Sequence, residues 1–138
     1  MFRNNISLEL LNKKMAINSL AHMDVEFTEI GDDYLCAKMP VNQNSHQPMG
    51  ILHGGMSVFL AESVASVAGN FFLDLEKQYC VGLSINANHI RAMKTGFLYA
   101  KAKPIHLGRT TQVWAIDMTN EEGKMVCISR LTMAVITK

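Results

Sequence analysis

Charge of either sign is scarce in this chain. Asp, Glu, Lys and Arg together make up 18% of it, the formal net charge is +1, and the basic residues (among them Lys13, Lys14, Lys38, Arg91, Lys94, Lys101, Lys103 and Arg109) are scattered. No basic face is expected, which argues against a nucleic-acid partner. Cysteine is sparse too. Cys36, Cys80 and Cys127 form no CxxC pair and sit in strand-like contexts, so they are expected to stay reduced and pack as small hydrophobes in a cytoplasmic protein. The histidines His22, His46, His53, His89 and His106 lack the i,i+4 spacing of a metal site, and no metal is expected. The stretch MFRNNISLELLNKK has charges on both sides of a short apolar patch; without an uninterrupted apolar run, export is not expected. Repeats and low-complexity segments are absent as well, and 138 residues, 49% of them apolar, fit one domain over 1–138.

What is present has a clear order. Leu8, Leu11, Met15 and Ile17 recur at roughly helical spacing, which predicts a short amphipathic helix over 7–20. Met23, Val25 and Phe27 alternate, Gly31-Asp32-Asp33 supplies turn chemistry, and Leu35, Ala37 and Met39 alternate again, so 23–40 reads as a β-hairpin closed by Pro40. Residues 41–55 read as a loop, because Asn42, Asn44, Ser45, Pro48 and glycines interrupt any period. A long apolar helix follows, about 54–73. Glu62, three serines, Asn70 and three glycines make it a poor membrane span and a better core helix. Beyond it the pattern is strand: Val81, Leu83, Ile85, Ala87 and His89 on one face, then 97–103, 110–119 and 125–136, with a turn at 120–123. The class is α+β, a curved antiparallel sheet wrapped around one long central helix.

Glu62 is the one charge in that helix. A buried carboxylate without a partner loses several kcal/mol of hydration, so one kept inside an apolar helix is expected to be used chemically. A structural carboxylate is the competing reading. Ser66 lies four residues on, on the same helical face, where its hydroxyl could orient the carboxylate or a water; Ser63 points to a neighbouring face. At the helix start, His53-Gly54-Gly55 offers unpaired N–H groups at the positive end of the dipole, a ready oxyanion site, with Gln47 and His53 as further donors to a carbonyl. His53 could instead cap the helix, and His89 could be a satisfied core histidine. Gly54 and Glu62 are about 12 Å apart along one helix, too far for one to hold a carbonyl that the other attacks. If both serve one reaction, Glu62 comes from a second subunit and the protein is a two-fold dimer with composite sites.

The segments NSHQPMGILHGGMSVFLAESVASVAG, VGLSINANHIRAMKTG and KPIHLGRTTQVW resemble the hotdog-fold acyl-CoA thioesterases of the phenylacetate-degradation type. Within that group the likeness is strongest to bacterial thioesterases acting on 1,4-dihydroxy-2-naphthoyl-CoA in menaquinone synthesis, and to their relative that clears mischarged aryl carrier protein in enterobactin synthesis. The resemblance implies a hotdog fold and hydrolysis of an aromatic or related acyl-CoA without metal or organic cofactor. Glu62 would be the catalytic carboxylate, as general base or nucleophile, with Gln47 and the Gly54 amide on the carbonyl and His53, Ser63 and Ser66 in support. It further implies contacts to the substrate or CoA from Gly82, from His89, Ile90, Arg91 and Ala92, and from His106, Leu107, Gly108, Arg109, Thr110 and Thr111. Homodimers paired into homotetramers are implied, with an acyl carrier protein as a possible alternative carrier. Met49, Met56 and Phe59 are expected to form an apolar wall around the acyl group. A non-enzymatic acyl-CoA-binding module is the rival reading, and a hotdog dehydratase a nearer one.

Overall fold

The computed structural model describes Phe2 and residues 5–138. Two short helices, α1 (Leu8–Met15) and α2 (Asn18–His22), precede the strands β1 (Glu26–Ile30) and β2 (Leu35–Pro40); the long helix α3 (Gly54–Phe71) then leads into β3 (Gln78–His89), β4 (Phe97–Leu107), β5 (Thr111–Thr119) and β6 (Met125–Thr137). The strands form one antiparallel sheet in the order β1-β2-β4-β5-β6-β3. Helix α3 lies against β2 through β6, which is the hotdog arrangement expected.

Alternation in the strands makes the core. Leu35, Ala37 and Met39 of β2, Leu98, Ala100 and Ala102 of β4, Trp114, Ile116 and Met118 of β5, and Leu131 and Met133 of β6 are buried facing α3. The helix answers with Leu60, Ala61, Val64, Ala65 and Ala68, one face at helical spacing. Each large apolar side chain buried here is worth about 1.5–3 kcal/mol. Gln112 is the largest of the buried polar side chains: its amide donates to the Gly69 carbonyl at 3.2 Å and accepts from the Trp114 indole at 2.9 Å. The three cysteines are free, and burial pushes the Cys80 thiol up to about 11.

Several boundaries differ from the sequence reading. The helix expected over 7–20 is broken in two, because the chain turns at Ala16 and Asn18 takes a positive φ of 53°, a conformation Asn tolerates better than most residues. The central helix ends at Phe71, not at 73. Strand β4 continues past 103 to Leu107, across a bulge between Pro104 and His106. A second bulge between Gly82 and Ser84 splits the apparent alternation of β3: Ile85, Ala87 and His89 face the helix opposite Leu131, Ser129 and Cys127, while Val81 turns to the outer face beside Ala134.

The two edges of the sheet are unequal. Helix α1 shields β1, where the Asn12 side chain bonds both the N–H and the C=O of Phe27 at 2.8 Å. At the other edge β3 carries exposed Tyr79, Val81 and Leu83, and among the described residues no other strand pairs with its outer side. A long exposed apolar edge is a template for pairing with another chain.

Candidate active site

The loop before α3 is shaped by a buried serine. Ser45 Oγ accepts from the Asn42 N–H at 3.1 Å and donates to the Pro40 carbonyl at 3.2 Å, while its own carbonyl takes the His53 N–H at 2.8 Å. His46 bonds the Lys94 carbonyl at 2.7 Å. The loop is thereby pinned at both ends, with Gln47 and His53 held between these anchors and α3. The Gln47 side-chain oxygen accepts the Met49 N–H, which turns its amide nitrogen free to donate elsewhere.

At the helix start the donors can be accounted for one by one. His53 is the N-cap: its Nδ1 accepts the Gly55 N–H at 2.8 Å, and its carbonyl takes the N–H groups of Met56 at 2.9 Å and Ser57 at 3.4 Å. Among the described residues nothing accepts the Gly54 N–H. That donor opens on a cavity of about 290 Å³ lined by Gln47, Ile51, Leu52, Gly54, His89 and Arg91, with Ile90, Ala92 and Val126 closing it. The His89 ring lies over Gly54 so closely that a Cβ there would sit 2.8 Å from Nε2. Ile90 and Arg91 are held by N–H bonds to the Val126 carbonyl at 2.8 and 3.2 Å. A carbonyl oxygen entering this cavity would meet an unpaired amide, a side-chain amide and the positive end of α3.

The remaining sequence candidates lie elsewhere on the chain. Glu62, about 12 Å further along α3, is half-buried rather than buried, and its carboxylate rests on the backbone of Gly82 in β3. The Ser66 hydroxyl makes no hydrogen bond to it; the recorded partners of Ser66 are on its carbonyl, which takes the Asn70 amide at 2.9 Å and the Cys80 thiol at 3.9 Å. Ser63 donates back to the Phe59 carbonyl at 2.7 Å. His106 to Thr111 lie at the far end of α3, where Gly108 donates to the Thr111 carbonyl at 2.8 Å in a tight turn. Leu107, Gly108 and Arg109 there share a second cavity, of about 400 Å³, with Phe72 and Gln78. The whole length of α3, about 27 Å, separates this turn from Gly54.

His89 is exposed, so it is not a core histidine. Met49 is 82% exposed, and neither it nor Met56 nor Phe59 lines the cavity at Gly54. The apolar lining is Ile51, Leu52, Ile90 and Val126. The sequence reading took Ser45 only as a loop marker, with no part in the site, and passed over Val126. Ser45 carried a weak signal, a serine between Asn42 and the loop's histidines; Val126, in an ordinary strand pattern, carried none.

The chain matches the thioesterase superfamily over residues 49–127. It is 47% identical over 135 residues to the 1,4-dihydroxy-2-naphthoyl-CoA hydrolase of Escherichia coli, covering 98% of each chain. A thioesterase of Pseudomonas aeruginosa, solved with one glutamine changed to alanine, has a TM-score of 0.96 and 44% identity over 99% of both chains. A thioesterase of Staphylococcus aureus gives a TM-score of 0.85 at 33% identity over 88% of this chain and 100% of its own. That protein has been solved with a glutamate and, separately, a glutamine changed to alanine, the two positions fifteen residues apart. Matched in sequence over more than half its length and in structure over nearly all of it, this chain belongs to the thioesterase superfamily.

Proposed function

We propose that the protein hydrolyses an aromatic acyl-CoA to the free acid and CoA, in a homodimer whose two sites each draw on both subunits. The observation that carries this reading is the unpartnered Gly54 N–H beside the Gln47 amide at the positive end of α3. Both donors would hold the thioester carbonyl and stabilise the oxyanion as it forms. Glu62 then takes the proton of the attacking water and returns it to the departing sulfur, or attacks the carbonyl itself, expelling a thiolate that takes its proton from water, and gives an anhydride that a second water cleaves to the free acid and the regenerated carboxylate; either way the C–S bond breaks and CoA is released as its thiol. Gln47 and Glu62 are fifteen residues apart, the spacing of the altered glutamine and glutamate in the S. aureus thioesterase. The E. coli relative's name supplies the aryl class.

The open edge of β3 supports the dimer. On β3, His89 marks the Gly54 end and Gly82 the Glu62 end. If two β3 edges pair antiparallel about a two-fold axis near Ile85 and Asn86, His89 of one subunit falls opposite the other's Gly82, and the carboxylate approaches the carbonyl donors. The same operation carries the second subunit's turn at His106 to Thr111 toward the first one's cavity, where Arg109 and His106 would meet the nucleotide phosphates of CoA.

Thiol release from benzoyl-, naphthoyl- and medium-chain acyl-CoA, by the wild-type protein and by Glu62→Gln, tests this. Aryl esters should give the highest kcat/KM, and the Gln variant should lose about 10²–10⁴ in kcat while still binding substrate. A fully active Gln variant removes Glu62 from the chemistry. Faster turnover of medium-chain esters reassigns the substrate, and binding without turnover of any ester points to a ligand-binding module.

A further inference from the structure

We propose that Gly82 is a positioning residue for Glu62: the space left by its missing side chain is the seat in which the carboxylate is held. The proposal rests on Glu62 being the reacting carboxylate. A Cβ built at Gly82 points to the helix side of the sheet, 3.7 Å from Leu131 Cδ1, and lands on Glu62 Oε1, with Cδ only 3.4 Å away. The backbone does not need glycine here, since the glycines with positive φ are Gly50, Gly96 and Gly123. What the molecule uses at position 82 is the missing side chain. The bulge between Gly82 and Ser84 bends the strand where the carboxylate meets it.

Within one chain, nothing else among the described residues fixes that carboxylate. Ser63 is bonded to the Phe59 carbonyl, the Ser66 hydroxyl does not reach it, and among the described residues no group donates a hydrogen bond to Glu62. A glutamate free to rotate would spend little of its time in a reactive geometry, because its side-chain entropy is among the largest. Packing against bare strand backbone restricts it differently from a hydrogen bond. The oxygen lone pairs stay unoccupied, so the group is held in place and remains available to a proton or a carbonyl carbon. Gly82 thereby acts through Glu62, a role separate from the substrate or CoA contact that the sequence resemblance implies for it.

Gly82→Ala, assayed by thiol release beside the wild type, Glu62→Gln and Glu62→Asp, decides the matter. The methyl group should push the flexible carboxylate end aside, leaving Tm and oligomeric state unchanged while kcat falls about 10²-fold, the cost of a misplacement near 1 Å. KM should stay within about twofold. In the Glu62→Asp background, where the carboxylate stops one methylene short of the new methyl, Gly82→Ala should cost less than about threefold. A raised KM with kcat intact would instead make Gly82 a substrate contact and overturn the proposal. So would an equal loss in the Asp background, or a Gly82→Ala chain that fails to fold, since moving a side-chain tip does not unfold a sheet. A fully active Glu62→Gln protein defeats the underlying reading; an inactive one with Gly82→Ala at wild-type kcat defeats only the positioning role.

Discussion

Gln47 is equipped for its proposed task by what its oxygen already does. With that oxygen engaged by the Met49 N–H, the amide has its NH2 donors left for the cavity, which suits an oxygen gaining negative charge. Gln47→Glu keeps the size of the side chain, removes the donor and adds a negative charge where the oxyanion forms. Its kcat for the best acyl-CoA should fall by about 10²–10³, the usual cost of one lost oxyanion donor, with Tm unchanged. A Glu variant that turns over normally would place the carbonyl elsewhere. The candidate site residues were the most legible part of the sequence, because Glu62 stands alone among apolar neighbours and His53-Gly54-Gly55 opens the helix. Their contacts were not. The i,i+4 spacing permits Ser66 to meet Glu62, but spacing does not choose a rotamer, and the carboxylate rests on a strand distant in sequence.

At the level of elements, α3 and β3 approach closely because each offers glycine to the other. Gly54 gives room to the His89 ring, Gly82 to the Glu62 carboxylate, and Gly69 to the Cys80 sulfur, where a Cβ would sit 3.0 Å away. Gly69 is fully buried and its Cβ would also lie 2.6 Å from Gln112 Oε1, an atom tied to the Trp114 indole. Two effects compete in Gly69→Ala. Alanine is the better helix former by about 1 kcal/mol, whereas overpacking a filled core costs about 1–3 kcal/mol and here also disturbs a buried hydrogen bond. The clash wins, and denaturant unfolding should show Gly69→Ala destabilised by about 1–2 kcal/mol; a stabilised variant would mean that the interface relaxes freely. Element types were readable from period, since β2, β4 and β5 alternate cleanly. Irregularities were not, because the bulges at Gly82 and Pro104 are set by the partner strand's register and leave only a glycine and a proline as local signs.

For the whole molecule, the single chain gathers the proposed carbonyl donors at one end of α3 and sets Glu62 and the Arg109 turn progressively further along it. The 12 Å estimate made from residue spacing holds only for an unbroken helix, and α3 is continuous from Gly54 to Phe71. Sequence could supply that distance but not the open β3 edge, because strand order is a property of the folded sheet. If each site combines Gln47 and Gly54 of one subunit with Glu62 of the other, a Gln47→Ala chain and a Glu62→Ala chain should rescue each other. In their hybrid dimer one site carries both defects and the other carries neither. Unfolding and refolding the two inactive proteins together should restore about one quarter of wild-type activity, because half of random dimers are hybrids and each has one intact site of two. Each mutant refolded alone should stay inactive. No recovery, with hybrid dimers demonstrated by mass, would mean that one chain closes the gap along α3 by itself, and pairing of the β3 edges would lose its role in assembling the site.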